Sequence, residues 1–566
     1  MAYSFRRSIE IKESFKQTQI KKVKKLGKQF ELRNINLLAT YSEVFKKKVK
    51  SLDEIKILIK SLPFESACLF LSKVSTGKLD EKKFKSLFYE YLKESNKNAP
   101  IQQLQECYDL LMKDSVFSQQ TILQIWKYLV LFGEPNNGKE ENEIQLIVAL
   151  VYIGLIVNDT LGRHDESEVY SEFFSNGVFS YSHNFGNTVA RTNYIYANIA
   201  SKKDLFHKND YLDINKDFIK TNGYSISDYI SVLFSLVTSF NNPYENNFPK
   251  NINYFHRSRV FPFIEEIIKE EIQDLNKAKE YCDNTLTKSW HFSGFISKPF
   301  IYLNDSDFLP ISVYLIKKEF FNRIFYKVRE IYPKNDERFL SFFGRPFEIY
   351  AQNLAEESIK LSKLDYMFKT SFKYGPKRTK DSPDIMIRLG DRLLVIEVKS
   401  LRLSFNSVFD SSNEVVLNDI NRLIISPLKQ AVTRVKEMME FKVDVISGVK
   451  EIDFLVLGNG NIPLIKQNKD IVNEKVAAKI NELSIPVKTY NYLSIEEFEY
   501  LCAFLEKRKP IFKILERYHL NQEIGENFRN FLLHNSYHPK RPKRIQELFE
   551  KTIKEFKSNL FEGQLS

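Results

Sequence analysis

Ser382 to Ser400 reads SPDIMIRLGDRLLVIEVKS, and this stretch decides the fold. Leu389-Gly390-Asp391-Arg392 has the form of a two-residue hairpin turn, with Gly in the first loop position, where a type II′ turn needs positive φ. With Gly390 and Asp391 as the loop, Leu389 faces Arg392 and each further pair steps outward by one residue per strand. Asp384 then stands opposite Glu397. Directly opposed side chains share a face, with Cβ atoms about 4.5–5.5 Å apart. Lys399 lies two residues beyond Glu397 and so points the same way. The reverse face carries Ile385, Ile387, Leu394, Ile396 and Val398, a sound buried surface. Leu393 and Val395 share the charged face, so LLVIEVK is apolar almost throughout, as in a sheet covered on both sides.

Two carboxylates opposed at that distance repel, and one of them tends to keep its proton. A hard divalent cation removes the conflict, and Mg²⁺ typically takes one or two carboxylates together with waters and phosphate oxygens. Lys399 adds a compact positive charge able to hold an attacking water or a scissile phosphate. Bound metal lowers the pKa of water and stabilises charge in the transition state, so these residue types suit phosphodiester hydrolysis. A surface hairpin with a salt-bridged Asp-Lys-Glu patch is the other account. Charges inside so apolar a strand are costly without a partner or a task, which favours the site.

Pro383-Asp384, twelve intervening residues, then Glu397-Val398-Lys399 resembles the PD-(D/E)XK motif of the restriction-endonuclease-like nuclease superfamily. Gly344-Arg345-Pro346-Phe347-Glu348-Ile349-Tyr350, read as a helix start, is similar to the G-x-x-F-E-x-Y segment of many members. The resemblance implies that Glu348 is a further metal-site or water-positioning carboxylate. Its bland account is a first-turn carboxylate favourable to the helix dipole. Gln430 and Arg434 lie one turn apart on a helix that Ser426 (N-cap) and Pro427 (N1) are expected to begin. The pair resembles the Q-x-x-x-Y element of exonuclease-like members, with Arg434 where the Tyr would stand. Gln430 is thus a site-edge candidate, against a plain exposed helix face.

The resemblance covers about residues 335 to 495. It implies Mg²⁺-dependent cleavage of nucleic acid, DNA before RNA, with Mn²⁺ as a substitute. Asp384, Glu397 and Glu348 would be metal ligands together with the Val398 carbonyl, and Lys399 and Gln430 would complete the catalytic set. Members with a large accessory region serve in restriction, antiphage defence or repair. A non-cleaving nucleic-acid-binding or assembly subunit and an RNase are the competing functions.

Around this core the expected order is helix (about 337 to 360), strands (366 to 373, 384 to 389, 392 to 399), helix (427 to 441), strands (452 to 457, 486 to 490) and helix (495 to 507). Ser494-Ile495-Glu496-Glu497 is a capping box for the last of these. Lys298 to Leu309 reads as two short strands around Asn304-Asp305-Ser306-Asp307, and a helix follows from Ile311 towards Tyr332. Residues 1 to 290 have a spacing nearer 3.6 than 2 and read as a helical accessory or recognition region, which a partner subunit or a second copy could engage. Residues 291–335 connect, 336–500 form the nuclease domain and 501–566 a helical tail. The fold class is therefore α+β overall: a large helical N-terminal region, an α/β restriction-endonuclease-like core with a mixed central sheet flanked by helices, and a helical C-terminal tail.

At 566 residues the chain exceeds a single core. A formal charge of +12 and an isoelectric point near 9.0 are compatible with a polyanionic partner. The basic opening stretch from Arg6 to Lys28 shares this bias, which an AT-rich coding sequence alone would also produce. Four scattered cysteines form no CxxC pair, which argues against a zinc ribbon or a disulfide framework and for a reducing, cytoplasmic setting. Met1 to Phe30 has no apolar h-region. The run LIVALVYIGLIV, Leu146 to Val157, is shorter than the roughly 20 residues of a membrane span and reads as a buried helix.

Three motifs are set aside. Gly133 to Lys139 matches GxxxxGK, but Glu140 stands where a phosphate-binding loop needs Ser or Thr, so a polar loop is the better reading. His534 and His538 have helical spacing, but Pro539 argues for a helix end, and neither Cys nor a third His accompanies them. His183-Asn184 lacks the companions of an HNH nuclease.

Overall fold

Period-two alternation along residues 385–399 produces a strand pair whose two faces feed two different cores. In the computed structural model, which describes residues 38–135, 142–161, 174, 178, 184–241, 248–254, 263–288, 290–409, 413–464, 466–507, 509–521, 526–538 and 540–561, that pair sits in a five-stranded sheet. Its strands are β1 (Met367–Thr370), β2 (Ile385–Leu389), β3 (Arg392–Lys399), β4 (Glu451–Gly458) and β5 (Val487–Ser494). They lie side by side in chain order. β1, β2 and β3 run antiparallel as a meander, whereas β4 joins β3, and β5 joins β4, in parallel. Parallel neighbours need crossover connections. Helix α2 (Ser426–Glu440) lies in the first and helix α3 (Lys466–Ile480) in the second, while α1 (Arg338–Lys360) precedes the sheet and α4 (Ile495–Leu505) follows it.

Leu389 pairs with Arg392, and the register runs to Ile385 opposite Ile396, as the turn predicts. Gly390 has φ +63°, the left-handed region its turn position requires. Ile385, Ile387, Leu394, Ile396 and Val398 pack with the α1 stripe Phe343, Phe347, Tyr350, Ala351 and Leu354. Met386, Leu393 and Val395 pack on the other face with Leu428, Ala431, Val432 and Val435 of α2. The sheet is thus covered on both sides, and Glu397, odd-numbered like Leu393 and Val395, belongs to the α2 side.

Three sequence expectations are corrected. Ser426 is not an N-cap: its φ and ψ are helical, and α2 continues from a helix at Asn413–Ile420 through a π turn at Asn421–Ile425. The wide π turn precedes Pro427, whose ring and missing N–H an unbroken α-helix would not accept. The Gly344-Arg345-Pro346 segment is not a helix start, because α1 begins at Arg338 and carries Pro346 inside it. Glu348 is therefore in the third turn, where the helix dipole gives it little. Helices Asn413–Ile420 and α3 were not expected. The sequence of α3, KQNKDIVNEKVAAKI, spreads its charges around the helix and gives no clear stripe.

Contacts group the chain into two compact units, one formed by Met1–Pro63, Asp80–Ile125 and Asn137–Arg163, the other by Phe64–Leu79, Trp126–Asn136 and His164–Ser566. In the first unit the helix Glu143–Leu161 is long and apolar enough to cross a membrane, and 72% of its apolar window is buried within the protein. Its polar end is satisfied locally: Asn158 donates to the Ala39 and Val116 carbonyls, and Asp159 accepts from Ser42. The second unit also holds a four-stranded sheet that contains the expected hairpin, Phe300–Tyr302 with Asp307–Pro310, turned by Asn304, whose Oδ1 accepts from the Ser306 and Asp307 N–H groups. The C-terminal helix Lys543–Phe561 packs on α1 and on helices Phe185–Asn193 and Ile226–Phe240. The basic stretch 6–28, the GxxxxGK segment after residue 135, the interior of the Asn241–Ile252 loop, His164, His183, His256 and Pro539 lie outside the described residues.

Candidate functional site

Asp384 immediately precedes β2, and Glu397 and Lys399 close β3. Asp384 Oδ2 accepts a hydrogen bond from the Val398 N–H at 2.7 Å, which fixes the carboxylate against the end of β3. Val398, expected to contribute its carbonyl, reaches the site through its N–H. Glu397 is fully buried, with a side-chain exposure of 0%. Its Oε2 accepts from Lys399 Nζ at 3.3 Å and its Oε1 from Arg434 Nη1 at 2.6 Å. The same Arg434 nitrogen lies 3.8 Å from Asp384 Oδ1. Lys399 Nζ also donates to Gln430 Oε1 at 3.0 Å, which ties the exposed Gln430 of α2 to the edge of the cluster.

Glu348 approaches from α1. Gln352, one turn on, donates to Glu348 Oε1 at 3.0 Å and to the Asp384 carbonyl at 3.1 Å, joining helix to strand. Arg345 Nη1 lies 3.1 Å from Glu348 Oε2 at the open side of the site. The structure therefore gathers Asp384, Glu397, Lys399, Val398 and Gln430 directly and adds Glu348 through Gln352. It also brings in Arg434, Gln352 and Arg345, which sequence reasoning left without a role. The signals were present: Arg434 follows Gln430 by four residues, and Gln352 follows Glu348 by four, on helices that face the strand ends.

Burial disfavours ionisation of all three carboxyls. It pushes Glu397 up to about 7, helped by the charge on Asp384 and opposed by Lys399 and Arg434. Asp384 is raised by burial against the Val398 N–H bond and the nearby cations. Glu348 is raised by burial and then by Asp384. A buried acid that resists ionisation beside two cations marks a place where further positive charge is stabilised.

Among the described residues no group of three or more His, Cys, Asp or Glu side chains is arranged to hold a metal ion. The donor chemistry here is nonetheless that of a hard cation: Asp384 and Glu397 supply carboxylate oxygens, and Mg²⁺ completes its shell with waters and phosphate oxygens. His534 ends the helix Phe528–His534 and faces Glu526, while His538 lies beyond that end, so the two do not share a helix face. All four cysteines are buried and free.

No family model, no curated protein and no solved structure matches the chain.

Proposed function

We propose that this chain is a Mg²⁺-dependent nuclease of the PD-(D/E)XK type, cutting DNA, with its site at the ends of β2 and β3. The observation that carries the reading is the convergence of Asp384 and Glu397 beside Lys399, where the ends of β2 and β3 bring two acids together in a sheet buried on both faces. The order of α1, the three-stranded meander, α2 and a parallel β4 accords with the core that the motif implies. Asp384 and Glu397 would hold the ion, with Glu348 on its outer side. When bound, the ion lowers the pKa of a water and neutralises charge on the reacting phosphate. Lys399, steadied by Gln430, holds the attacking water or the scissile phosphate at the open side. Arg345, 60% exposed, and the net charge of +12 favour a polyanionic substrate. The helical N-terminal region is assigned to substrate choice or to holding a partner.

One observation favours a second reading, a non-cleaving nucleic-acid-binding subunit. Lys399 and Arg434 already neutralise the carboxylates internally. Incubation of the purified protein with single- and double-stranded DNA and RNA, with Mg²⁺, with Mn²⁺ and with chelator, decides between them. The nuclease cuts only with metal and loses cleavage on Asp384→Ala, Glu397→Ala and Lys399→Ala. Cutting that survives all three changes removes the assigned site, and metal-independent binding without cutting establishes the second reading.

A further inference from the structure

The second cation on Glu397 has a consequence of its own. Arg434 donates to Glu397 Oε1 at 2.6 Å and stands 3.8 Å from Asp384, so it occupies the side of the carboxylate pair that a divalent ion would need. Its helix is anchored by buried Leu428, Ala431, Val432, Val435 and Met438, and the Arg434 carbonyl accepts from Tyr374 Oη. The backbone is therefore fixed, while the side chain is long and 19% exposed. With all three acids ionised the charges balance: Asp384, Glu397 and Glu348 face Lys399, Arg434 and Arg345. A divalent ion adds two positive charges to this balanced set. Departure of one guanidinium and arrival of one phosphodiester restore neutrality. A released Arg434 has an acceptor in the substrate phosphate, which guanidinium binds in a bidentate manner, whereas Glu437 on its own helix is already held by Lys380 and Tyr374.

We infer that Arg434 is the resting counter-ion of the carboxylate pair, that it must release Glu397 before a divalent cation binds there, and that nucleic acid promotes the release. This rests on the nuclease reading. It makes metal binding weak in the free protein and coupled to substrate, because a phosphate that draws Arg434 away raises metal affinity and metal raises substrate affinity by the same factor.

The test is a calorimetric titration with Mn²⁺ at pH 8.5, together with thermal melts with and without Mn²⁺, on wild type, Arg434→Gln and Arg434→Lys. Losing a charge-assisted hydrogen bond that competes with the metal tightens Mn²⁺ binding by roughly 10- to 100-fold in Arg434→Gln. Arg434→Gln also melts lower than wild type without metal and gains more on adding it, while Arg434→Lys, which keeps the charge, stays near wild type. Equal or weaker Mn²⁺ binding by Arg434→Gln overturns the inference. Wild type supplies an arm that needs no variant: a nuclease-resistant oligonucleotide tightens its Mn²⁺ binding, and an oligonucleotide without effect overturns the inference too. Glu397→Gln and Asp384→Asn separate the two levels. If they bind Mn²⁺ as wild type does, the nuclease reading falls and this inference with it. If they lose Mn²⁺ while Arg434→Gln gains nothing, only the role of Arg434 falls.

Discussion

The two ends of β3 bury acids equally deeply and use them differently. At the first residue of the strand, Arg392 meets Asp453 of β4, with Nε to Oδ2 at 2.6 Å and Nη2 to Oδ1 at 2.9 Å. Thr489 of β5 adds a hydroxyl donor to Oδ1 at 2.7 Å. Asp453 is fully buried and takes two nitrogens of the Arg392 fork and one hydroxyl, while the third nitrogen of Arg392 reaches the more exposed Glu516 at 3.3 Å and Glu451 at 3.8 Å. At the other end Glu397 is buried just as fully, yet it faces a second carboxylate and its cations are shared. Lys399 is divided between Glu397 and Gln430, and Arg434 between Glu397 and Asp384. Both cations reach solvent, at 25% and 19% exposure. Burial of charge alone is thus no mark of function. What distinguishes the second end is a second acid, Asp384, set against the buried Glu397 so that both draw on the one guanidinium of Arg434.

The largest effect expected from this contrast is on cleavage. Asp384→Ala and Glu397→Ala should each lower Mg²⁺-dependent cutting by more than roughly 10³-fold, because the developing charge loses its metal support. The far-ultraviolet circular dichroism of both variants should match wild type. Next comes a stability effect at the other end. Arg392→Met leaves Asp453 buried without its counter-ion and should cost about 3–5 kcal/mol, read from chemical denaturation, with cleavage per folded molecule unchanged. Should Arg392→Met abolish cutting in folded protein, or Glu397→Ala destabilise the chain as much as Arg392→Met, the two ends are not separate devices.

The register of the hairpin could be read without a structure because it depends on one turn and a period of two. Gly390-Asp391 sets the pairing, and a slip of one residue would turn one strand's apolar side chains, such as Ile385 and Ile387, from the α1 face to the α2 face. The same logic gave both covered faces. The alliance of Arg392 with Asp453, by contrast, depends on a parallel pairing between strands more than fifty residues apart, which no local pattern encodes. Arg434 fell between these cases. Its spacing from Gln430 placed it on the correct helix face, but the π turn that carries the chain into α2 at Pro427 was not legible in a sequence that looked like an ordinary Ser-Pro start. Glu348 was legible as an acid near the site and misread in its helix position, since Pro346 looked like a first-turn residue and is an interior one.

A third prediction uses pH. Glu397 titrates at about 7 in the folded, metal-free protein, above the ordinary carboxyl range of the unfolded chain. The folded state therefore binds the proton more tightly. The resulting stabilisation is complete below the unfolded pKa and is lost as pH rises towards and through about 7. Denaturation midpoints of metal-free protein should fall over that window, and Glu397→Gln should flatten the slope. Cleavage runs the other way: at limiting Mg²⁺ it should drop by up to about tenfold per pH unit below 7, and saturating Mg²⁺ should move the midpoint to lower pH, because metal competes with the proton. A stability that rises across the same window in wild type would contradict the assignment of Glu397.

The smallest effect belongs to the turn that sets the whole register. A Cβ placed on Gly390 meets nothing within 4 Å, so Gly390→Ala creates no clash, and its cost is that of holding a side-chain-bearing residue at φ +63°. That amounts to about 1–2 kcal/mol, seen as a lowered denaturation midpoint. The pairing of Leu389 with Arg392 is also held by the apolar faces of both strands, so Asp384 should stay opposite Glu397. Cleavage by folded Gly390→Ala should therefore match wild type. A variant that stays folded but no longer cuts would mean that the turn, and not the two packed faces, aligns the acids.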